Sequence, residues 1–334
     1  MNGGSEKAVY AAIAGNSVVM LSKFGAFLVS GSPGMLGEAI HSLADVGNQS
    51  LLALGIRKSL MPPEEGFPYG FHRDRYIWAL ISAVGIFFLG CGVTMYHGVH
   101  SFLDPHVPNP DHIGIVIGAL VFSLLIEGAT LLVALRSVND ARGDRSLLEY
   151  VRTTSDPMAS AVLLEDGAAV IGVGLAFCGV GLTWLTGEPR FDAAFTILIG
   201  LLLGAIAVAL IQRNRALLLG ERPQVETVDR IVMILKAQPE VEQLHEVKMV
   251  VLGSGALRLA ADVDFDGRAI ARTVLAGEDL DAIRGAWESP EHMQQWLEEF
   301  GEKIVEELGD AVDRIEAELV EKVPQLSHVD LEAD

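Results

Sequence analysis

Apolar runs long enough to cross a bilayer recur along the first two thirds of the chain, and a shorter, alternating pattern replaces them in the last third. Six stretches, approximately residues 8–30, 35–57, 77–99, 112–136, 159–184 and 192–213, each come close to the roughly 20 residues a transmembrane helix needs. Their connections sort by charge. Arg57, Lys58, Arg73 and Arg75 lie between the second and third stretches, Arg136, Arg142, Arg145 and Arg152 between the fourth and fifth, and Arg213, Arg215 and Arg222 after the sixth. The alternate loops hold only Arg190, so the positive-inside rule places both termini in the cytoplasm.

From residue 221 the periodicity is that of a soluble domain. Val225 to Lys236 is amphipathic at helical spacing, and His245–Val251 and Ala256–Asp264 alternate as strands around the turn Gly253-Ser254-Gly255. A long acidic helix is expected through about Ser289 to Val323, then a strand over His328–Leu331, while residues 267–288 read as an inserted loop or a short helix. The pattern predicts an α-helical polytopic membrane protein of six transmembrane helices with a C-terminal α+β domain on an antiparallel sheet. The division is expected at 1–215 and 216–334.

Composition narrows the class further. The 334 residues are 50% hydrophobic, with a net charge of −20. Residues 221–334 carry 27 acidic against 11 basic side chains, which argues against a nucleic-acid partner and for a domain that works near cations. The two cysteines, Cys91 and Cys178, sit in apolar stretches and read as small core residues. The opening MNGGSEKAVYAAIAG resembles neither a cleavable signal peptide nor an organelle transit peptide.

Polar residues inside the apolar runs carry the chemistry. On the second helix His41 and Asp45 are one turn apart, and Glu38 and Asn48 extend their stripe. Ionisable groups at membrane depth face a bundle interior and mark ion pathways, and imidazole with carboxylate suits a divalent metal. Lys23 and Glu127 are expected to pair. In the fifth run Pro157 fits a first helical turn, with Asp156 before it as N-cap. Glu165 and Asp166 lie deeper, about 100° apart around the helix, so one reads as a ligand and the other as a proton carrier or packing partner.

The stretches EAIHSLADVGNQSLLALGIRKS, RYIWALISAVGIFFLG and DPMASAVLLEDGAAVIG resemble the cation diffusion facilitator family, and most closely its atypical branch that includes a mitochondrial zinc transporter of animals. The resemblance spans nearly the whole chain. It implies a ferredoxin-like C-terminal domain, a homodimer in a lipid bilayer, and export of a divalent cation, zinc first, in exchange for protons. It implies no prosthetic group and no nucleic acid. The family's second-helix ligands fall on His41 and Asp45, and its fifth-helix pair on Val162 and Asp166. Val162 binds no metal, so Glu165, Asn48, Glu38 or a water must complete the sphere. Oxygen ligands in place of a nitrogen would favour a harder ion such as manganese, with iron or cobalt as further alternatives.

Two other family sites carry over differently. The loop after the second helix has Phe67-Pro68-Tyr69-Gly70-Phe71 where the family often has histidines, so no loop metal site is expected, and Arg73 and Arg75 read as anchors to headgroups or to the acidic domain. The C-terminal binding positions fall on His245, Asp262, His328 and Asp330. An intramembrane metalloprotease would need a His-Glu-x-x-His motif that the chain lacks. A non-transporting metal sensor stays open because of Val162. The missing transit peptide points to a bacterial inner membrane.

Overall fold

In a computed structural model the chain is described except at residues 1–2, 106–112, 144–145, 154–156, 254 and 288, with side chains also undescribed at 3–12, 141, 152–153, 157–161, 280, 282 and 286. Contacts divide it into two compact units, Met1–Leu219 and Gly220–Asp334.

The first unit is all helical. It comprises α1 (Gly3–Ser30), α2 (Pro33–Ser59), α3 (Asp74–Gly85) running through a π-helical stretch Ile86–Val93 into α4 (Thr94–Leu103), α5 (Ile113–Arg142), the short α6 (Leu147–Thr153), α7 (Pro157–Thr186) and α8 (Arg190–Leu218). Local chemistry sets the joints. Gly31, at φ +68°, turns α1 into α2, and the Ser32 side chain then accepts from the Met35 amide with Pro33 in the first turn. Gly187, at φ +75°, ends α7 in the same left-handed way. Pro157 does open α7, and Asp156, its expected cap, lies outside the described residues.

Among the described residues five helical rods are long and apolar enough to cross a membrane. Six such stretches were expected, and the difference is α2. Its 27 residues reach roughly 40 Å, but Glu38, His41, Asp45, Arg57 and Lys58 lower its hydropathy. The side chains explain how so polar a helix is tolerated: Glu38, His41, Ser42 and Asn48 are buried, and α2 packs on α1, α3, α7 and α8. Helix crossings are close where glycines allow it. A Cβ on Gly55 of α2 would stand 3.2 Å from the Arg75 backbone of α3. Arg75 does not reach out as a headgroup anchor: its guanidinium donates to Ser59 Oγ at 3.0 and 3.2 Å, tying α3 to the end of α2. Of the two cysteines expected in the core, Cys91 is half-buried and packs against the core of the helical unit, whereas Cys178 is exposed.

The second unit comprises α9 (Val225–Lys236), β1 (Val241–Gly253), β2 (Ala256–Phe265), α10 (Gly267–Ala276), α11 (Leu280–Ala286), α12 (Pro290–Lys322) and β3 (Leu326–Ala333). Residues 267–286 thus hold two helices, each N-capped by an aspartate: Asp266 accepts from the Arg268 amide and Asp279 from that of Asp281. Val228, Ile231 and Leu235 of α9, with Ile315 and Leu319 of α12, form one core with Met249, Val251, Leu257, Leu259, Ala261 and Val263 of the sheet. The sheet order is β1-β2-β3. β1 and β2 form the antiparallel hairpin, but β3 lies parallel to β2, so the sheet is mixed rather than antiparallel. The reason is the length of α12. A 33-residue helix carries the chain back past the sheet, and β3 enters in the direction of β2 as a crossover requires.

Candidate metal and ion centre

The site grows from α2. His41 and Asp45 sit one turn apart on its buried side, with Nε2 and Oδ2 3.6 Å from each other. That separation is too long for a hydrogen bond, and both ring nitrogens of His41 are buried without a hydrogen-bond partner. Two ligands of one tetrahedral zinc, each about 2.0–2.1 Å from the metal, are separated by about 3.3 Å. The pair is therefore spaced like an edge of a tetrahedral site.

α7 brings Glu165 and Asp166 toward this pair, and the charges of both act on Asp45. Their roles separate as the helical angle requires. Glu165 is buried, and its Oε2 accepts from Asn48 Nδ2, while its Oε1 is buried without a partner. Asn48 is in turn oriented by Ser82 of α3, whose hydroxyl donates to Asn48 Oδ1. The carboxylate settles which way the amide points: it only accepts, so the NH2 faces Glu165 and Oδ1 is left to accept from Ser82. Asp166 is half-buried, with the Thr130 hydroxyl of α5 against it. Val162, one turn before Asp166, offers no donor atom.

Glu38 is placed elsewhere. The Lys23 ammonium of α1 donates to Glu38 Oε2 at 2.8 Å and to Glu127 Oε1 of α5 at 2.7 Å, all three side chains being buried. The expected Lys23–Glu127 pair is present, and Glu38 is its third member rather than an open ligand for a metal beside His41. Among the described residues no group of three or more His, Cys, Asp or Glu side chains is drawn closely enough together to hold a metal ion. His41, Asp45, Glu165 and Asp166 are neighbours whose ligand atoms have not converged.

The four candidate residues of the second unit do not converge either. His245 Nε2 lies 3.6 Å from Asp334 Oδ2. His328 stands beside Arg258 in the sheet, and Arg258 donates to Asp330 Oδ2 at 2.9 and 3.1 Å. Asp262 pairs in register with Glu332. The shared strand face of His328 and Asp330 is real, but an arginine occupies it.

Two residues escaped the sequence reading. Ser82 is a small hydroxyl in a mostly apolar helix, and only its position against Asn48 gives it a role. Asp192, buried in the first turn of α8, accepts from Ser32 Oγ at 2.6 Å and ties that helix to the start of α2. An acid just inside a helix start reads as ordinary dipole matching from sequence.

Comparison with known proteins joins this geometry to a family. The family described as the cation efflux transmembrane domain matches residues 9–219. The mitochondrial proton-coupled zinc antiporters SLC30A9 of Mus musculus and Homo sapiens are each 42% identical over 98% of this chain. Metal tolerance protein C4 of Arabidopsis thaliana is 38% identical over 98% of this chain and 73% of its own length. The chain spans 59% and 58% of the length of the mouse and human proteins. The animal relatives are named antiporters and the matched family is one of cation efflux, which sets aside the metalloprotease reading. They also overturn the expectation of a bacterial inner membrane, because the matched animal proteins are named mitochondrial. That expectation leaned on the opening residues, and a chain spanning part of its relatives carries no information about segments outside it. A matched domain over most of the helical unit and identity along almost the whole length lead to one assignment: the chain belongs to the cation efflux family, the cation diffusion facilitators.

Proposed function

We propose that this chain is a proton-coupled exporter of divalent metal, with zinc as its cargo, working by alternating access in a homodimer. His41 and Asp45 of α2 and Asp166 of α7 bind the ion, and Glu165 supplies the ligand that Val162 cannot. The observation that carries the reading is the His41–Asp45 edge: a buried imidazole with no hydrogen-bond partner, 3.6 Å from a carboxylate. Leaving an imidazole unsatisfied at this depth is costly unless a ligand completes it. In this reading α2 is the sixth crossing, made tolerable by its buried polar stripe, and the site closes when α2 and α7 approach.

Exchange follows from the ligand set. Carboxylate and neutral imidazole bind the ion only when deprotonated, so protons arriving from the far side compete for the same atoms and release it. Rocking of helices about a fixed midplane site then alternates its exposure. The second unit, residues 220–334, acts as a three-stranded variant of a ferredoxin-like dimerisation domain, in which Arg258 pairs with Asp330.

The test is zinc flux into proteoliposomes driven by a pH gradient. Wild type is expected to move zinc, and Asp45→Ala and Asp166→Ala to lose at least nine tenths of that flux. Binding of zinc without flux in the wild type would replace the transporter reading with that of a sensor, which the unconverged ligand atoms would then favour. Manganese flux without zinc flux would assign the oxygen-rich site to a harder cargo.

A further inference from the structure

The Lys23 triad is the largest buried charged assembly that the transport reading leaves unused. It joins three helices: Lys23 of α1 donates to Glu38 of α2 and Glu127 of α5. Two carboxylates against one ammonium leave a net negative charge in a buried site, and isolated buried charge is expensive. Each carboxylate also has an oxygen with no partner, Glu38 Oε1 and Glu127 Oε2, both buried. Two carboxylate oxygens therefore contact one cationic nitrogen, and the other oxygen of each carboxylate is left without a partner.

We propose that Glu38 and Glu127 form a second divalent-cation site, which Lys23 fills with its own ammonium so that a metal ion does not. The distances fit such a substitution. Arms of 2.8 and 2.7 Å place the two bonded oxygens no more than about 5.5 Å apart. A hard divalent ion such as calcium takes oxygens at about 2.3–2.6 Å, and ions of the manganese class favour carboxylate oxygen over nitrogen. A shift of a few tenths of an ångström in each carboxylate would close them on such an ion. Lys23 thereby does two things. It keeps Glu38, one turn from His41, out of the cargo site. It also restricts the helical unit to the ion held between α2 and α7, a count that rests on the reading above, whereas the existence of the Glu38–Glu127 site does not.

The experiment is equilibrium dialysis of Mn2+ alone, and separately Zn2+ alone, against the detergent-solubilised full chain. Lys23→Met is expected to bind one more Mn2+ per chain than wild type. Lys23→Met combined with Glu38→Gln and Glu127→Gln is expected to return to the wild-type count. The extra ion is expected to persist when Asp45→Ala is added, which separates this inference from the cargo-site reading. A monodisperse Lys23→Met protein with the wild-type count overturns it, as does an extra ion that survives loss of both glutamates. If Lys23→Met does not fold, Lys23→Gln keeps an uncharged NH2 donor and is read by melting temperature. Mn2+ should then raise its Tm by more than it raises that of wild type, and an equal or smaller rise overturns the proposal.

Discussion

Asn48→Ala is the perturbation that separates an oriented ligand from a merely nearby carboxylate. Asn48 makes two buried hydrogen bonds: it donates to Glu165 Oε2 and accepts from the Ser82 hydroxyl. The first involves a charged acceptor and contributes about 1.5–3 kcal/mol, and the second, between neutral groups, contributes about 0.5–1.5 kcal/mol. Removing both should cost the metal-free protein roughly 2–4.5 kcal/mol on that basis. The functional consequence is different in kind. With Oε2 released, the Glu165 carboxylate is free to rotate, and Oε1 no longer faces a fixed point. Loss of an outer partner that holds a ligand typically weakens metal affinity about 10–100-fold. The assay is zinc titration of the solubilised full chain against a competing chelator, with Tm measured in parallel without metal. Ser82→Ala removes only the farther bond and should shift affinity in the same direction by less. Zinc affinity within twofold of wild type in Asn48→Ala, whatever happens to Tm, would refute the claim that this chain of hydrogen bonds positions a ligand.

Two further outcomes follow from packing and charge. Gly98→Ala should lower the Tm of the solubilised chain, because its Cβ would stand 3.1 Å from the Ile197 backbone nitrogen and force α4 away from α8, an overpacking cost of about 1–3 kcal/mol; an unchanged Tm would contradict the close crossing. In the second unit, burial pushes the Glu316 carboxyl above its ordinary value, with Asp313 and Asp330 adding to the shift and the Leu331 backbone opposing it. A folded-state value above the unfolded one means the folded protein binds more protons, so stability is lost as pH rises through that window. Glu316→Gln should therefore raise Tm at pH 7 and leave it nearly unchanged at pH 4, and an equal gain at both would refute the burial account.

How much could be read in advance depended on whether the partners lie on one helix. His41 and Asp45 were legible because a four-residue spacing places two side chains on one face of any helix. Across helices the reading degraded. Lys23 needed a carboxylate partner, and Glu127 was the expected one, but nothing in the spacing indicates that Glu38 turns toward α1 as well. Between Glu165 and Asp166 the helical angle showed that the two must differ without showing which one Asn48 holds. Ser82 carried no signal at all.

The sequence by itself determined the elements. Apolar runs, caps such as Ser32-Pro33 and Ser289-Pro290, and the amphipathic spacing of Val228, Ile231 and Leu235 are local, and local chemistry sets where helices start, stop and face. Tertiary structure decided everything that depends on direction and pairing between elements. It set β3 parallel to β2, turned Arg75 onto Ser59, gave Asp330 to Arg258, and gathered Lys23, Glu38 and Glu127 from three helices. The physical reason is that a buried polar group must find a partner. Which partner it finds depends on how helices and strands distant in sequence come to pack.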